Sequence, residues 1–247
     1  MKTVILIPAR YASTRFPGKP LADLQGKPMI QWVVERCQQV ASAAQVLVAT
    51  DDERIAARVD EFGGRAVMTR PDHPTGTDRL AEVAETLEAD LIVNVQGDEP
   101  LIDPGHIETA ITALRDDREA VMATLCAPLT RKEEFLDPNV VKVVCDRQGR
   151  ALYFSRAPIP WPRDNGDDLE RALTACGARR HIGLYVYRRP FLLDIPRLER
   201  TPLEQVESLE QLRVLEHGYS IAVAEVEDYS IGVDTPEDLE KVRRQLA

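Results

Sequence analysis

The chain has 247 residues, 44% of them hydrophobic, and carries 31 basic against 41 acidic side chains, a formal net charge of −10. This length and apolar content suffice for one large or two closely joined α/β units with a buried core, which excludes a disordered chain. The negative charge argues against a general nucleic-acid surface or an anionic membrane surface, because the overall field would repel either partner. Any anion must therefore be held locally.

The cysteines and the N-terminus exclude further classes. The four cysteines form no C-x-x-C pair, which argues against a zinc knuckle and against a redox dithiol; they are Cys37, Cys126, Cys145 and Cys176. The first apolar run ends at Pro8, too short for a membrane-spanning helix, and no small-residue cleavage site follows it. We expect reduced, partly buried thiols in a protein of the cytoplasm.

The first half of the sequence alternates apolar strand-like runs with amphipathic helical segments. In chain order the pattern predicts a strand at 3–7, a helix with Ile30, Val33, Val34 and Cys37 on its apolar face, a strand at 45–50, a helix at 52–62, a strand at 65–68, a helix at 77–88 and a strand at 91–96. This order predicts an α/β fold with a mainly parallel central sheet flanked by helices. Polar segments follow three of the strands, "PAR", "TDD" and "QGDEP", and should meet at the edge of the sheet where the strands end.

The second half has a different pattern. "VVKVVCD" (140–146) and "ALYFS" (151–155) predict an antiparallel pair around the turn "RQGR", followed by a proline-rich loop at 157–168. "RHIGLYVYRR" alternates with period two, so Ile182, Leu184 and Val186 share one face while the other face carries His181, Gly183, Tyr185 and Tyr187. A helical region at 203–217 and a strand in "YSIAVAEV" come next.

The C-terminal segment "GVDTPEDLEKVRRQL" predicts a helix with Thr235 as its N-cap. Pro236 would occupy the first helical position, and Asp238 stands three residues after the cap. Asp234 would then lie in the loop just before the helix.

The segment "IPARYASTRFPGKPL" (7–21) places Arg10, Arg15 and Lys19 after the first strand. Its prolines and Gly18 exclude a regular helix, so these cations do not simply form the solvated face of a helix. Guanidinium groups, an ammonium and free backbone N–H groups together suit a polyphosphate. The other interpretation is a surface loop with scattered cations. Since the chain lacks both G-x-x-x-x-G-K-[ST] and G-x-G-x-x-G, any phosphate would be held mainly by side chains.

"NVQGDEP" places Asp98 and Glu99 directly after a buried strand, where carboxylates are costly unless they bind a cation or cap a helix. One interpretation is a magnesium ligand, and the other is an N-cap for the following helix. Asp234 supplies a second isolated acid, and magnesium commonly takes one or two carboxylates plus phosphate oxygens and water.

Other polar residues fit weaker hypotheses. In "HPTGTDRL" (73–80), backbone donors before a helix could meet an anion or a base edge, although Thr75 or Thr77 could simply be a cap. Arg156, His181 and Tyr185 could bind a polar, anionic substrate, although a lone histidine is more often a structural hydrogen-bonding group.

Together these segments resemble the 3-deoxy-manno-octulosonate (KDO) cytidylyltransferases, and the resemblance covers the whole chain. It is carried by "IPARYASTRFPGKPL", "TGTDRLAE", "VNVQGDEP", "NVVKVV", "ALYFSRAPIPW", "RHIGLYVYR", "PLEQVESLEQLRVLEHG" and "GVDTPEDLE". The first segment alone is shared loosely with other sugar nucleotidyltransferases, whereas the full set in this order is specific. The resemblance implies a nucleotide-diphospho-sugar transferase type of fold and the reaction of CTP with KDO to CMP-KDO and pyrophosphate for lipopolysaccharide assembly.

The resemblance also implies roles for individual residues. Lys19 and Arg10 would grip the triphosphate, and Asp98 and Asp234 would ligate Mg²⁺; these four are the expected catalytic residues. Ala9, Thr50, Gly76 and Arg79 would lie near the nucleotide. The KDO pocket would be lined by Gln96, Arg156, His181, Tyr185, Glu210 and Gln211. Arg15 would serve either a nucleotide contact or the structure of the loop.

Domain organisation and partners follow from the same resemblance. Within one nucleotidyltransferase domain, 1–130 would be mainly the nucleotide-binding half, 131–225 the β-rich sugar-binding and dimerisation half, and 226–247 the returning metal-ligand loop and C-terminal helix. The expected assembly is a homodimer, without nucleic-acid or membrane partners.

Three alternative functions stay open. One is activation of 8-amino-KDO, which "GDEP" disfavours, and another is CMP-sialic acid synthesis. The third is a nucleotide-binding regulatory module without turnover.

Overall fold

The computed structural model describes residues 1–12, 16–163, 168–230 and 232–246. It forms two compact units. The first consists of Met1–Ile111, Val186–Pro196 and Ser230–Ala247, and the second of Thr112–Tyr185 and Arg197–Tyr229. None of the helices in the described ranges is long and apolar enough to cross a membrane.

Strands and helices alternate along most of the chain. The strands are β1 (Thr3–Ala9), β2 (Asp23–Leu24), β3 (Lys27–Pro28), β4 (Ala43–Thr50), β5 (Ala66–Met68), β6 (Leu91–Asn94), β7 (Ala120–Pro128), β8 (Lys142–Cys145), β9 (Ala151–Ser155), β10 (Arg179–Arg188) and β11 (Ser220–Glu225). The helices are α1 (Met29–Cys37), α2 (Glu53–Glu61), α3 (Gly76–Glu85), α4 (Pro104–Asp116), α5 (Lys132–Leu136), α6 (Leu169–Cys176), α7 (Arg189–Asp194), α8 (Pro202–Glu207), α9 (Gln211–Glu216) and α10 (Pro236–Gln245). Short 3-10 turns occupy Lys19–Leu21 and Ile195–Arg197.

The first unit contains the parallel strands predicted for the N-terminal half. Their order is β6-β1-β4-β5, and each neighbouring pair is parallel. Val4, Ile5, Leu6 and Ile7 of β1 are completely buried, as expected for a central parallel strand covered on both faces. The mainly parallel α/β sheet is confirmed, and the ends of β1, β4 and β6 lie at one edge of it.

The second unit combines parallel and antiparallel pairs. β11 runs parallel to β7, while β8 is antiparallel to both β9 and β10. The predicted hairpin around "RQGR" is therefore confirmed. The alternation in β10 is confirmed as far as Val186, because Ile182, Leu184 and Val186 are buried while His181, Gly183 and Tyr185 are partly exposed. Tyr187 departs from it, since this side chain is buried as well.

The helical region expected over 203–217 is confirmed, and it consists of two helices. α8 and α9 are separate, because Ser208 ends α8 in the left-handed conformation with φ 53°. Of the proline-rich loop expected at 157–168, residues 164–167 lie outside the described residues. At the C-terminus, Thr235 caps α10 as predicted, in a capping box with Asp238.

Candidate active site

Lys19, Asp98 and Asp234 meet in the first unit. The Lys19 Nζ lies 2.6 Å from Asp98 Oδ2 and 3.5 Å from Asp234 Oδ1. The Lys19 side chain is only 14% exposed, whereas that of Asp234 is 55% exposed. Two carboxylates thus converge on one cationic atom beside solvent, and they remain in excess of it by one negative charge.

Close backbone approach fixes the two acidic segments. A Cβ at Gly97 would lie 2.9 Å from the Pro8 carbonyl oxygen, so only glycine lets the "QGDEP" segment pass this close to β1. The Val233 N–H donates to the Asp98 carbonyl oxygen at 2.8 Å, which ties "GVDTP" to "QGDEP". Since α4 begins only at Pro104, Asp98 is not its N-cap, and that alternative is wrong.

The backbone at Gly18 positions Lys19. The Gly18 N–H donates to the Tyr11 carbonyl oxygen at 2.9 Å, and Gly18 has φ 72°, a conformation that favours glycine. The 3-10 turn that begins at Lys19 then aims its side chain at the carboxylates. Arg15 lies outside the described residues, so its role stays open.

Arg10 anchors the segment that precedes α3. Its Nη2 donates to the carbonyl oxygens of His73 and Thr75, the latter at 3.3 Å. Thr75 is the N-cap of α3 and forms a capping box with Asp78, which confirms the cap interpretation of "HPTGTDRL". A Cβ at Gly76 would lie 3.7 Å from the Pro8 ring. Arg10 therefore holds the start of α3 beside the end of β1.

Three other residues expected near a nucleotide, Ala9, Thr50 and Arg79, are buried. Arg79 is completely buried, its guanidinium donates to the Thr69 hydroxyl, and its Nη2 lies 3.1 Å from Asp51 Oδ2. Ala9 and Thr50, at the ends of β1 and β4, are also buried. The Arg79 guanidinium is thus held by Asp51 and Thr69, and its nucleotide contact stays a prediction.

The donor set of the acidic cluster fits a magnesium ion. Carboxylate oxygens are the ligands that Mg²⁺ prefers, and it needs only one or two of them besides phosphate and water. In the described part of the chain, no three His, Cys, Asp or Glu side chains are grouped to hold a metal. The pair Asp98 and Asp234 therefore suits a magnesium site completed by a substrate, and not a zinc site formed by protein ligands alone.

The Glu99 carboxyl group is buried, and its pKa is raised. Burial raises the pKa of Glu99 to about 7, the charge of Asp98 adds to this increase, and a hydrogen bond from the Ser230 hydroxyl at 3.4 Å opposes it. A carboxyl with this pKa is partly protonated at neutral pH, so Glu99 is a weaker candidate for a metal ligand than Asp98.

In the second unit, Arg156 is held by Glu207 and Pro138. Its Nε donates to the Glu207 carbonyl oxygen at 2.7 Å, and its Nη1 donates to the Pro138 carbonyl oxygen at 3.0 Å. The Glu207 carboxylate accepts from the Arg156 N–H at 2.9 Å and from the Ser155 hydroxyl at 2.6 Å. The guanidinium expected to bind an anionic substrate is therefore fixed in position.

A buried lysine completes this support. Lys142 is completely buried, and its ammonium donates to the carbonyl oxygens of Asp137, Val140 and Arg156 at 3.0, 2.6 and 2.6 Å. Burial lowers the pKa of Lys142, and nearby charges change it less. Three acceptors match the three donors of the ammonium.

We expect Lys142→Met to lower the free energy of unfolding by about 2–3 kcal/mol, because three buried carbonyl oxygens lose their donor. Urea denaturation measures this change. Lys132→Met, at an exposed lysine of α5, is the control and should change stability by less than about 0.5 kcal/mol. Equal stability of the two variants would show that the ammonium does not organise this segment.

His181 and Tyr185 lie beside each other on β10. Their ring centroids are 5.5 Å apart, and the His181 ring packs edge-on against Phe154 at 4.9 Å. Burial lowers the pKa of His181 to about 3, and the charge of Arg180 adds to this effect. Burial and then the Glu210 charge raise the pKa of Tyr185. Both side chains are therefore neutral at physiological pH.

The remaining predicted substrate residues lie in both units. Glu210 directly precedes α9, and Gln211 is its first residue. Gln211 is 5% exposed, and among the described residues no acceptor binds its Nε2, so a buried donor is available for a ligand. Gln96 belongs to the first unit, is partly exposed, and accepts the Glu99 N–H at its carbonyl oxygen at 3.3 Å.

Comparison with known proteins identifies the family. The model of the Cytidylyltransferase family matches residues 4–223. A 3-deoxy-manno-octulosonate cytidylyltransferase of Syntrophotalea carbinolica is 58% identical over 100% of this chain and 99% of its own length. A CMP:2-keto-3-deoxy-manno-octonic acid synthetase solved in complex with CTP is 49% identical, with a TM-score of 0.93 over 100% of this chain and 98% of its own.

A more distant structure shares the fold alone. The 4-diphosphocytidyl-2C-methyl-D-erythritol synthase of Anaerococcus prevotii is 13% identical, with a TM-score of 0.64 over 99% of this chain and 98% of its own. The alignment with the Syntrophotalea carbinolica protein covers the whole of this chain, and so includes every segment that carries the candidate site. The chain belongs to the 3-deoxy-manno-octulosonate cytidylyltransferase family.

Proposed function

We propose that this protein transfers the cytidylyl group of CTP to KDO, giving CMP-KDO and pyrophosphate for lipopolysaccharide biosynthesis. The observation that carries the proposal is the convergence of Lys19, Asp98 and Asp234 in a chain whose relatives bear this activity in their names. A hydroxyl oxygen of the sugar acid forms a bond to the α-phosphorus of CTP, the bond from that phosphorus to the pyrophosphate leaving group breaks, and the hydroxyl proton is released to water. Because both reactants are anions, positioning and charge neutralisation supply most of the catalysis.

The first unit would bind the nucleotide. Lys19 would neutralise charge on the α-phosphate and on the departing pyrophosphate, and Arg10 would contact the triphosphate. Asp98 and Asp234 would hold Mg²⁺, which supplies Lewis-acid polarisation of phosphate oxygens when bound. Ala9, Thr50, Gly76 and Arg79 would lie near the nucleotide, with Arg79 held in place by Thr69 and Asp51.

The second unit would bind most of the sugar acid. Arg156 supplies the cation that suits its carboxylate, and the buried Gln211 supplies an amide donor. His181, Tyr185 and Glu210 would hydrogen-bond to its hydroxyl groups. Gln96 of the first unit is the remaining proposed KDO contact.

The activity is tested by measuring pyrophosphate release from CTP with KDO, 8-amino-KDO and N-acetylneuraminate in parallel, with and without magnesium. We expect release with KDO, dependent on magnesium, and much slower release with the other two sugars. Absence of release with KDO would refute the proposed function. Faster release with 8-amino-KDO or with N-acetylneuraminate would assign the enzyme to that substrate instead.

Organisation and assembly belong to the same proposal. We retain 1–130 as the mainly nucleotide-binding part, 131–225 as the sugar-binding and dimerisation part, and 226–247 as the returning metal-ligand loop and helix. A homodimer is supported by the exposure of large apolar side chains in the second unit, namely Leu152, Trp161 and Val206. Light scattering tests it directly. A cytoplasmic location fits four cysteines that form no disulfide.

A further inference from the structure

Thr124 of β7 contacts a proposed substrate residue although its side chain is completely buried. Its hydroxyl oxygen lies 2.9 Å from His181 Nε2, 3.0 Å from the Ile182 carbonyl oxygen and 2.8 Å from the Leu184 carbonyl oxygen. All three partners belong to β10. One hydroxyl therefore serves three neighbours on a single strand, with only one hydrogen to donate.

The position of that hydrogen follows from the partners. A carbonyl oxygen can only accept, so the threonine hydrogen must be donated to a carbonyl oxygen, that of Ile182 or of Leu184, and not to His181. If the hydrogen pointed at His181 instead, the Thr124 hydroxyl oxygen would lie 3.0 Å from the Ile182 carbonyl oxygen and 2.8 Å from the Leu184 carbonyl oxygen with no hydrogen in either contact. The contact with Nε2 then requires an N–H on the imidazole, which donates to the Thr124 oxygen.

The imidazole is also neutral. Its surroundings oppose protonation, since Phe154 and Tyr185 pack against the ring and the Arg180 side chain next to it is cationic. The pKa of His181 accordingly falls to about 3. A neutral imidazole with hydrogen on Nε2 has none on Nδ1, which keeps an acceptor lone pair.

We propose that Thr124 is a positioning residue that fixes His181 as the neutral Nε2–H tautomer, so that Nδ1 accepts a hydrogen bond from a hydroxyl group of the sugar acid. The second half of this statement rests on the proposed function, whereas the tautomer does not. The assignment separates two tasks in the second unit. His181 selects a hydroxyl donor, and the carboxylate is left to the Arg156 guanidinium.

The tautomer is measured directly by long-range ¹H–¹⁵N NMR of protein labelled with ¹⁵N-histidine at pH 7. The chain has four histidines, so a His181→Asn variant identifies the His181 signals. We expect a protonated Nε2 and an unprotonated Nδ1. A protonated Nδ1, whether in the other tautomer or in an imidazolium, would overturn the proposal on the parent protein, without any variant or activity assay.

The positioning role is tested with a matched pair of variants. Thr124→Val keeps the shape and loses the hydroxyl, whereas Thr124→Ser keeps the hydroxyl. For Thr124→Val we expect signals of both His181 tautomers and a rise of about tenfold in KM for KDO, the cost of one hydrogen bond, with KM for CTP within about twofold. Thr124→Ser should retain the parent tautomer and a KM for KDO within about threefold.

The outcomes separate this inference from the proposed function. If the parent protein turns over KDO but Thr124→Val changes neither the tautomer nor the KM for KDO, the positioning role is wrong. If the parent shows the Nε2–H tautomer but no turnover with KDO, the proposed function fails while the assignment of the tautomer stands. If Thr124→Val does not fold, a changed tautomer in Thr124→Ser would still contradict the proposal.

Discussion

Replacing Lys19 with methionine should lower kcat/KM for the proposed reaction about 10³-fold. The ammonium of Lys19 is a largely buried cation, held 2.6 Å from Asp98 at the point where the acidic segments meet. Removing one preorganised group that stabilises transition-state charge typically costs 10²–10³-fold in rate. The low exposure of this site places the expected effect at the upper end. Steady-state kinetics with CTP and KDO measure it.

Lys27→Met is the matched control for this substitution. Lys27 pairs with Glu35 at 2.8 Å, but its side chain is 39% exposed, and an ion pair at the surface contributes little. We expect the activity of this variant to stay within about twofold of the parent. Both variants should keep the parent circular dichroism spectrum. A folded Lys19→Met variant that retains more than a tenth of the parent activity would exclude a central role in charge neutralisation.

Local sequence signals predicted most of the first unit, because they coincide with how its elements pack. β1 is apolar throughout since both faces of the sheet are covered, and α10 begins where the capping box of Thr235 and Asp238 places it. β7 was not predicted. Like β1 it is buried along almost its whole length, but its sequence "AVMATLCAP" contains three alanines, which are depleted in strands, whereas "TVILIPA" of β1 contains a run of Val, Ile and Leu.

The site was only partly predictable for a related reason. Asp98 and Lys19 stand out in the sequence because carboxylates and prolines interrupt apolar patterns beside them. Thr124 gives no such signal, since a threonine within a strand is ordinary, and its role depends on hydrogen bonds to a strand distant in the sequence. Lys142 did leave a signal, a lysine inside the apolar run "NVVKVV", but only the fold identifies its three acceptors.

Replacing Asp98 with asparagine should lower kcat about 10²-fold or more and raise the magnesium concentration needed for half-maximal activity. The asparagine side chain would keep the size of the aspartate but offer one neutral oxygen in place of a carboxylate, and charged oxygen ligands bind Mg²⁺ best. Asp234→Asn should act in the same direction. Activity measured over a magnesium titration gives both quantities, and electron paramagnetic resonance of bound Mn²⁺ reports metal affinity without turnover.

The binding measurement is needed because Asp98 also contacts Lys19. If Asp98→Asn acted only by releasing the Lys19 ammonium, turnover would fall while Mn²⁺ affinity stayed the same. If Asp98 is a metal ligand, turnover and Mn²⁺ affinity must both fall. The total loss of Mn²⁺ binding free energy in an Asp98→Asn, Asp234→Asn double variant should then be smaller than the sum of the losses in the two single variants, since the residues share one ion. Asp60→Asn, at an exposed acid of α2, should alter neither quantity. Near-normal turnover of Asp98→Asn with unchanged magnesium dependence would remove Asp98 from the metal site.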